Sequence, residues 1–236
     1  MHRIALSGLI TSVPRVCSTS SATALPRALL LRATMSSTVT SSTPLRDAIV
    51  HDHQEMYEYH QHFQKHVGNT DAQKRWANQL AWEVARHAVA EEIIVYPLME
   101  KHLGQAGKAL ADQDREDHQS IKIMLAQLES MQVGTDEFDT LMSKMMAHIR
   151  EHNDSEETND LPRLEEALHP DHSKEAAFQF NTTKRFVPTR AHPSAPNQPP
   201  FETLVAFLTA PIDKLKDMFT SFPTEEMKKE TKDSPR

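Results

Sequence analysis

Residues 86–97, RHAVAEEIIVYP, place His87 and Glu91 four positions apart in an otherwise apolar run, and 65 residues later EHNDSEETNDLP repeats the pair as His152 and Glu156. On a helix such positions lie about 5–6 Å apart at Cβ, close enough for an imidazole and a carboxylate to bind one cation. Two further histidines, His53 and His118, stand 34 residues before His87 and His152, each within a tripeptide DHQ. The set His53, His87, Glu91, His118, His152 and Glu156 offers four imidazoles and two carboxylates. If each glutamate bridges, each ion of a pair gains two nitrogens and two oxygens and keeps one or two positions for oxide, hydroxide, water or a dioxygen species. Nitrogen and carboxylate donors suit iron, manganese or zinc, and a bridged pair with open positions favours two irons in an Fe–O–Fe type centre.

A single inward histidine is more often a hydrogen-bonded core residue, and a lone HxxxE is weak. Six polar groups repeated at identical spacing are not explained that way, because two carboxylates buried together without a cation cost several kcal/mol. The single cysteine, Cys17, excludes intrachain disulfides, thiolate zinc sites and iron–sulfur clusters.

Helices must position these groups. Five glycines and abundant Ala, Leu, Met, Glu, Lys and Gln favour helix over sheet. Four inward stripes are predicted. The first is Leu45, Ile49, His53, Met56, His60, Phe63 and Val67; the second is Trp76, Leu80, Val84, His87, Glu91, Ile94 and Leu98. The third is Ala111, Asp114, His118, Ile121, Leu125 and Leu128, and the fourth Phe138, Leu141, Met145, His148, His152 and Glu156. Helix one starts after Thr43-Pro44 and closes at Gly68; a Thr70/Gln73 capping box opens helix two, which runs to about His102 with a kink at Pro97. Helix three runs from about Lys108 to Met131, and Gly134 precedes helix four, which weakens at NDSEETNDLP. His53 lies 15 residues before Gly68 and His87 17 after Thr70, which at 1.5 Å per residue puts them within about 3 Å of one level in an antiparallel pair. The second hairpin repeats this, so the expected fold is an all-α, up-down-up-down four-helix bundle.

The HAVAEE and HNDSEE motifs, with His53 and His118, resemble the hemerythrin-like HHE cation-binding family over about residues 45–168. That resemblance implies a di-iron four-helix bundle with the six residues above as ligands. Oxygen carriers of the family place a second histidine four after the third-helix ligand, where this chain has Lys122, and a fourth-helix carboxylate five after histidine, so Glu157 competes with Glu156. Reversible oxygen carriage is therefore in question. His60 and His148 are candidates for an additional ligand or a supporting role, whereas His51, His62, His66 and His102 fall off the stripes and are expected to be exposed.

Outside the bundle, residues 1–44 form an expected leader. Residues 1–46 hold five arginines, sixteen serines or threonines and no acid, the composition of a mitochondrial transit peptide; a start at Met35 would instead leave the protein cytoplasmic. Without those residues 21 basic groups face 33 acidic ones, a net charge of −12 that argues against a nucleic-acid partner. No apolar run approaches the roughly 20 residues of a transmembrane helix. Residues 169–236 comprise a helix, a proline-rich strap and two short amphipathic segments, 201–210 and 211–222, expected to pack on the bundle or to bind a protein partner. The strap resembles the C-terminal extension of fungal members of the family.

The leading expectation is a non-heme di-iron protein, not an enzyme, that binds dioxygen, nitric oxide or iron itself. An iron- or oxygen-responsive interaction module signalling through the strap is the alternative. A di-iron oxidase or peroxidase ranks third, because no separate acid–base group or substrate motif accompanies the donors.

Overall fold

The computed structural model describes residues 43–196 and 201–232. The expectations for the leader, its transit role and the start at Met35 lie outside the described residues, as do the side chains of Phe201, Leu204 and Phe207. The chain is all-α, with no strand among the described residues. Its elements are α1 (Leu45–Lys65), α2 (Thr70–Ala90), a π-helical turn (Glu91–Val95), α3 (Tyr96–Ser130), α4 (Asp136–Ser155), a second π-helical turn (Glu156–Asp160), α5 (Leu161–Ala167), α6 (Pro170–Thr183), α7 (Phe201–Asp217) and α8 (Glu225–Lys232).

Short links fold α1 against α2 and α3 against α4. Each receiving helix has a side-chain cap. Asn69, not the expected Thr70, accepts from the Ala72 N–H at 3.1 Å, and Thr135 accepts from the Phe138 N–H at 3.3 Å. Helix two is longer than α2 alone: it runs through the first π turn into α3 and stops at Gly104, whose φ of 61° and ψ of −134° are not helical. A side chain there meets no atom within 4 Å, so only backbone strain opposes it. Gly104→Ala is expected to cost about 1–3 kcal/mol in urea denaturation without changing the fold.

Both π turns begin at the glutamate of an HxxxE pair, and both precede proline. Pro97 and Pro162 would press on the carbonyls of Ile93 and Thr158 in a regular helix; the wider turn, closed by Tyr96 N–H to Glu91 O and Leu161 N–H to Glu156 O, relieves that clash. The inserted residue shifts the register. Val95 and Met99 are buried where Ile94 and Leu98 were expected, and two adjacent glutamates, Glu91 and Glu92, both face inward. Val67, expected at the end of the first stripe, is exposed because α1 ends at Lys65.

Two apolar clusters flank a polar layer. One contains Met56, Phe63, Trp76, Leu80, Val84, Ile121, Phe138 and Ile149; the other contains Leu45, Ile49, Ala90, Tyr96, Met99, Ala111, Leu161 and Phe180. Along the chain each of His53, His87, His118 and His152 falls between a residue of one cluster and a residue of the other, Leu161 of α5 serving for His152. The layer is thus sealed on both sides by apolar packing.

The C-terminal region departs from its expected packing. Instead of two short segments, one helix, α7, runs through Pro211. It turns Ala206, Ala210 and Asp213 inward, with Leu208, Ile212 and Leu215 exposed, as are Met218 and Phe219 just beyond its end. Polar contacts attach this region: Asp213 to His192 at 2.8 Å, Arg190 to Glu129, Gln119 Nε2 to Pro193 O at 2.9 Å and Asn78 Nδ2 to Ser221 O at 2.8 Å. Among the described residues no helix is long and apolar enough to cross a membrane.

Candidate metal centre

All six candidate donors lie in the polar layer, none more than 4% exposed. The histidines meet in pairs through Nε2: His53 with His87 at 3.2 Å, and His118 with His152 at 3.1 Å. The two glutamates run between the pairs. Glu91 Oε2 lies 3.2 Å from His87 Nε2 and 3.4 Å from His118 Nε2, while Glu156 Oε2 lies 3.6 Å from both His53 Nε2 and His152 Nε2. Each carboxylate therefore touches one histidine of each pair, the placement a bridging ligand requires. His53, His87, Glu91 and Glu156 each present a donor atom within 4.8 Å of the others, and Glu91, His118 and His152 do the same.

Carboxylates also face the outer nitrogens. Asp52 Oδ2 is 3.0 Å from His87 Nδ1, Glu157 Oε1 2.8 Å from His53 Nδ1, and Glu92 Oε1 3.1 Å from His118 Nδ1. Near His152 Nδ1 stand Asp117 Oδ2 at 3.8 Å and Asp114 Oδ1 at 4.0 Å. A carboxylate behind a ligating histidine fixes its orientation and strengthens its metal-facing nitrogen as a donor. Two of these carboxylates are in turn held by buried lysines: Asp52 by Lys184, and Glu92 by Lys122 at 2.6 and 2.7 Å.

The Lys122 pair explains why the third helix carries lysine four residues after His118. Lys122→Met would leave Glu92 buried without its counter-charge and is expected to destabilise the protein by about 3–5 kcal/mol; Glu92→Gln combined with it should recover most of that loss in denaturant melts. His60 and His148 do not join the donors. His60 stacks on Phe63 with neither ring nitrogen hydrogen-bonded, and His148 Nε2 lies 3.5 Å from Asp117 Oδ1.

Electrostatics separates the donors by glutamate. Burial disfavours the charge on Glu91, but His87 and His118 outweigh it and hold that carboxyl well below its ordinary value. Burial likewise opposes charge on His87, yet Glu91 and Asp52 push it up to about 9; His118 is raised in the same way by Glu91 and Glu92. Burial takes His152 down to about 4 and lowers His53. Glu156 consequently faces two neutral rings, and burial with the charge of Glu91 keeps it protonated well above the usual carboxylate range. Without metal, then, one glutamate carries a charge and the other a proton.

Metal fits this arrangement. Both oxygens of Glu91 and Oε2 of Glu156 are buried without a hydrogen bond, a costly state that a cation between the histidine pairs would remove. The family model described as the hemerythrin HHE cation binding domain matches residues 45–164. The chain belongs to the hemerythrin HHE family. This hemerythrin-like chain is also 45% identical to a hemerythrin-like protein of Schizosaccharomyces pombe over 181 residues, which cover 77% of this chain and 89% of that relative. No solved structure matches it. Family membership and the orphaned donors together indicate a metal-binding site.

Several residues of the hemerythrin layer escape a reading by helical stripes. Asp52 and Asp117 were visible only as the first residue of each DHQ and Glu92 as the second glutamate of its EE, while Glu157, expected to compete with Glu156, faces the outer nitrogen of His53. Tyr96, whose hydroxyl lies 3.0 Å from His118 Nε2, has no counterpart in the second repeat, where Leu161 takes its place. No sequence signal marked it.

Proposed function

We propose that the chain is a non-heme di-iron binding protein that takes a small ligand such as dioxygen or nitric oxide, or iron itself, at a carboxylate-bridged metal pair. One observation carries this reading: each glutamate spans both histidine pairs through an Oε2 that is buried without a hydrogen bond. His53 and His87 would hold one ion, His118 and His152 the other, and Glu91 and Glu156 both. Iron so bound would supply redox chemistry and positions for an external ligand. The chain's own contribution is to orient His53, His87 and His118 through their outer carboxylates and to keep bulk water out with two apolar clusters.

Anaerobic titration with ferrous iron should reach two ions per chain, and exposure to air or nitric oxide should then give new visible absorption. Uptake of one zinc and no iron would contradict the reading.

The interaction-module reading has a specific support. Lys184, at the end of α6, pairs with Asp52, which orients His87, so the segment leading to the strap touches a ligand's support. On that reading iron should slow proteolysis after Lys184, and Lys184→Met should abolish the difference. Equal cleavage with and without iron would count against it.

A further inference from the structure

The two ends of the donor layer are not equivalent. The sequence repeat, offset by 65 residues, pairs His53 with His118, His87 with His152 and Glu91 with Glu156. Carried one turn upstream of the first- and third-helix histidines, the same offset pairs Ile49 with Asp114. Ile49 is fully buried in the apolar cluster beside Leu161. Asp114 is buried to the same degree, 3% exposed, yet it is an acid.

Among the described residues no lysine or arginine pairs with Asp114, in contrast with the other buried acids behind the histidines: Asp52 has Lys184, and Glu92 has Lys122. Its Oδ1 lies 4.0 Å from His152 Nδ1, too far for a hydrogen bond, and its Oδ2 has no hydrogen-bond partner. Asp114, His152 and Glu156 present one donor atom each within 4.8 Å of one another, so this acid lies within reach of a cation that His152 and Glu156 would share. Support of the His152 ring does not explain it, since His152 Nδ1 is itself left without a hydrogen-bond partner. An unpaired buried carboxylate beside two metal donors is explained if it is itself a donor.

We propose that Asp114 is a protein ligand of the ion at the His118–His152 end only. That ion then has five protein donors and the one at the His53–His87 end four, so the pair is built unequal. The inference rests on the metal-pair reading and makes one side chain responsible for the inequality.

Cobalt(II) is a suitable probe, because its visible spectrum reports donor number and it does not react with air under mild conditions. Calorimetric titration of the full metal-free chain should give two ions, and fewer than two would refute the metal pair itself. In Asp114→Asn, which keeps the side chain's size, one ion should bind as in the wild type. The other should weaken by more than about 100-fold, beyond the 10–100-fold typical of a group that only supports a ligand. The cobalt bands of that ion alone should shift. Two ions bound with wild-type affinity and spectrum would overturn the proposal, as would equal weakening of both. Should the variant fail to retain wild-type helicity, wild-type protein loaded with iron-57 decides. Two quadrupole doublets of equal area are expected in its Mössbauer spectrum, and a single doublet would overturn the inequality.

Discussion

Glu91→Gln should empty both halves of the metal site at once. The carboxylate lies 3.2 Å from His87 of one pair and 3.4 Å from His118 of the other, so its loss removes a donor from each ion. The amide also lacks the charge that offsets two cations in a buried layer. Each ion should bind at least ~100-fold more weakly, more than loss of a supporting group costs, and protein purified with iron should hold less than about a tenth of the wild-type metal. His53→Ala, which touches only one pair, should instead leave one ion measurably bound. Metal analysis of the two variants side by side separates a bridging glutamate from an ordinary ligand, and Glu91→Gln protein that keeps one ion would not fit a bridge.

The second large effect is on stability, and it depends on pH. In the metal-free protein His87 is raised to about 9, and Asp114 to about 8 by burial and the Asp160 charge. Each folded group holds a proton that the unfolded chain has already released near neutrality, so its stabilising contribution is complete below the unfolded value and is lost as pH rises through the folded one. His152, lowered to about 4, acts in the opposite sense but only below about pH 6.5. Between pH 7 and 9 the metal-free protein should therefore melt at progressively lower temperature. Metal requires these same protons to leave, so its affinity rises over that range. At free metal 1,000 times the dissociation constant, stabilisation reaches about 4 kcal/mol, or roughly 8–16 °C in Tm for a domain of this size. The gap between metal-free and loaded melting curves should widen from pH 7 to 9; a gap that narrows contradicts the assigned protonation states.

Much of the layer was legible because helical periodicity and internal repetition are both local properties of sequence. The stripe through Leu45, Ile49, His53, Met56, His60 and Phe63 needed only the 3.6-residue period, and all six side chains are buried. The register after Glu91 was not legible in the same way. A regular period carries Ile94 and Leu98 inward, whereas the π turn that accommodates Pro97 substitutes Val95 and Met99. Proline signalled a disturbance there but not its form. Lys122 and Lys184 were unreadable for another reason: their meaning lies in partners 30 and 132 residues away, Glu92 and Asp52, brought near only by tertiary packing. The outward apolar stripe of α7 misled for a related cause, since amphipathicity reveals a face but not the side on which the body lies.

The most direct test of a shared metal pair is an anomalous-difference map, collected at the iron edge, from crystals of the iron-loaded protein. Two peaks about 3.5–4 Å apart, lying between the Glu91 and Glu156 carboxylates, are expected. A single peak, or peaks away from the four histidines, would contradict it.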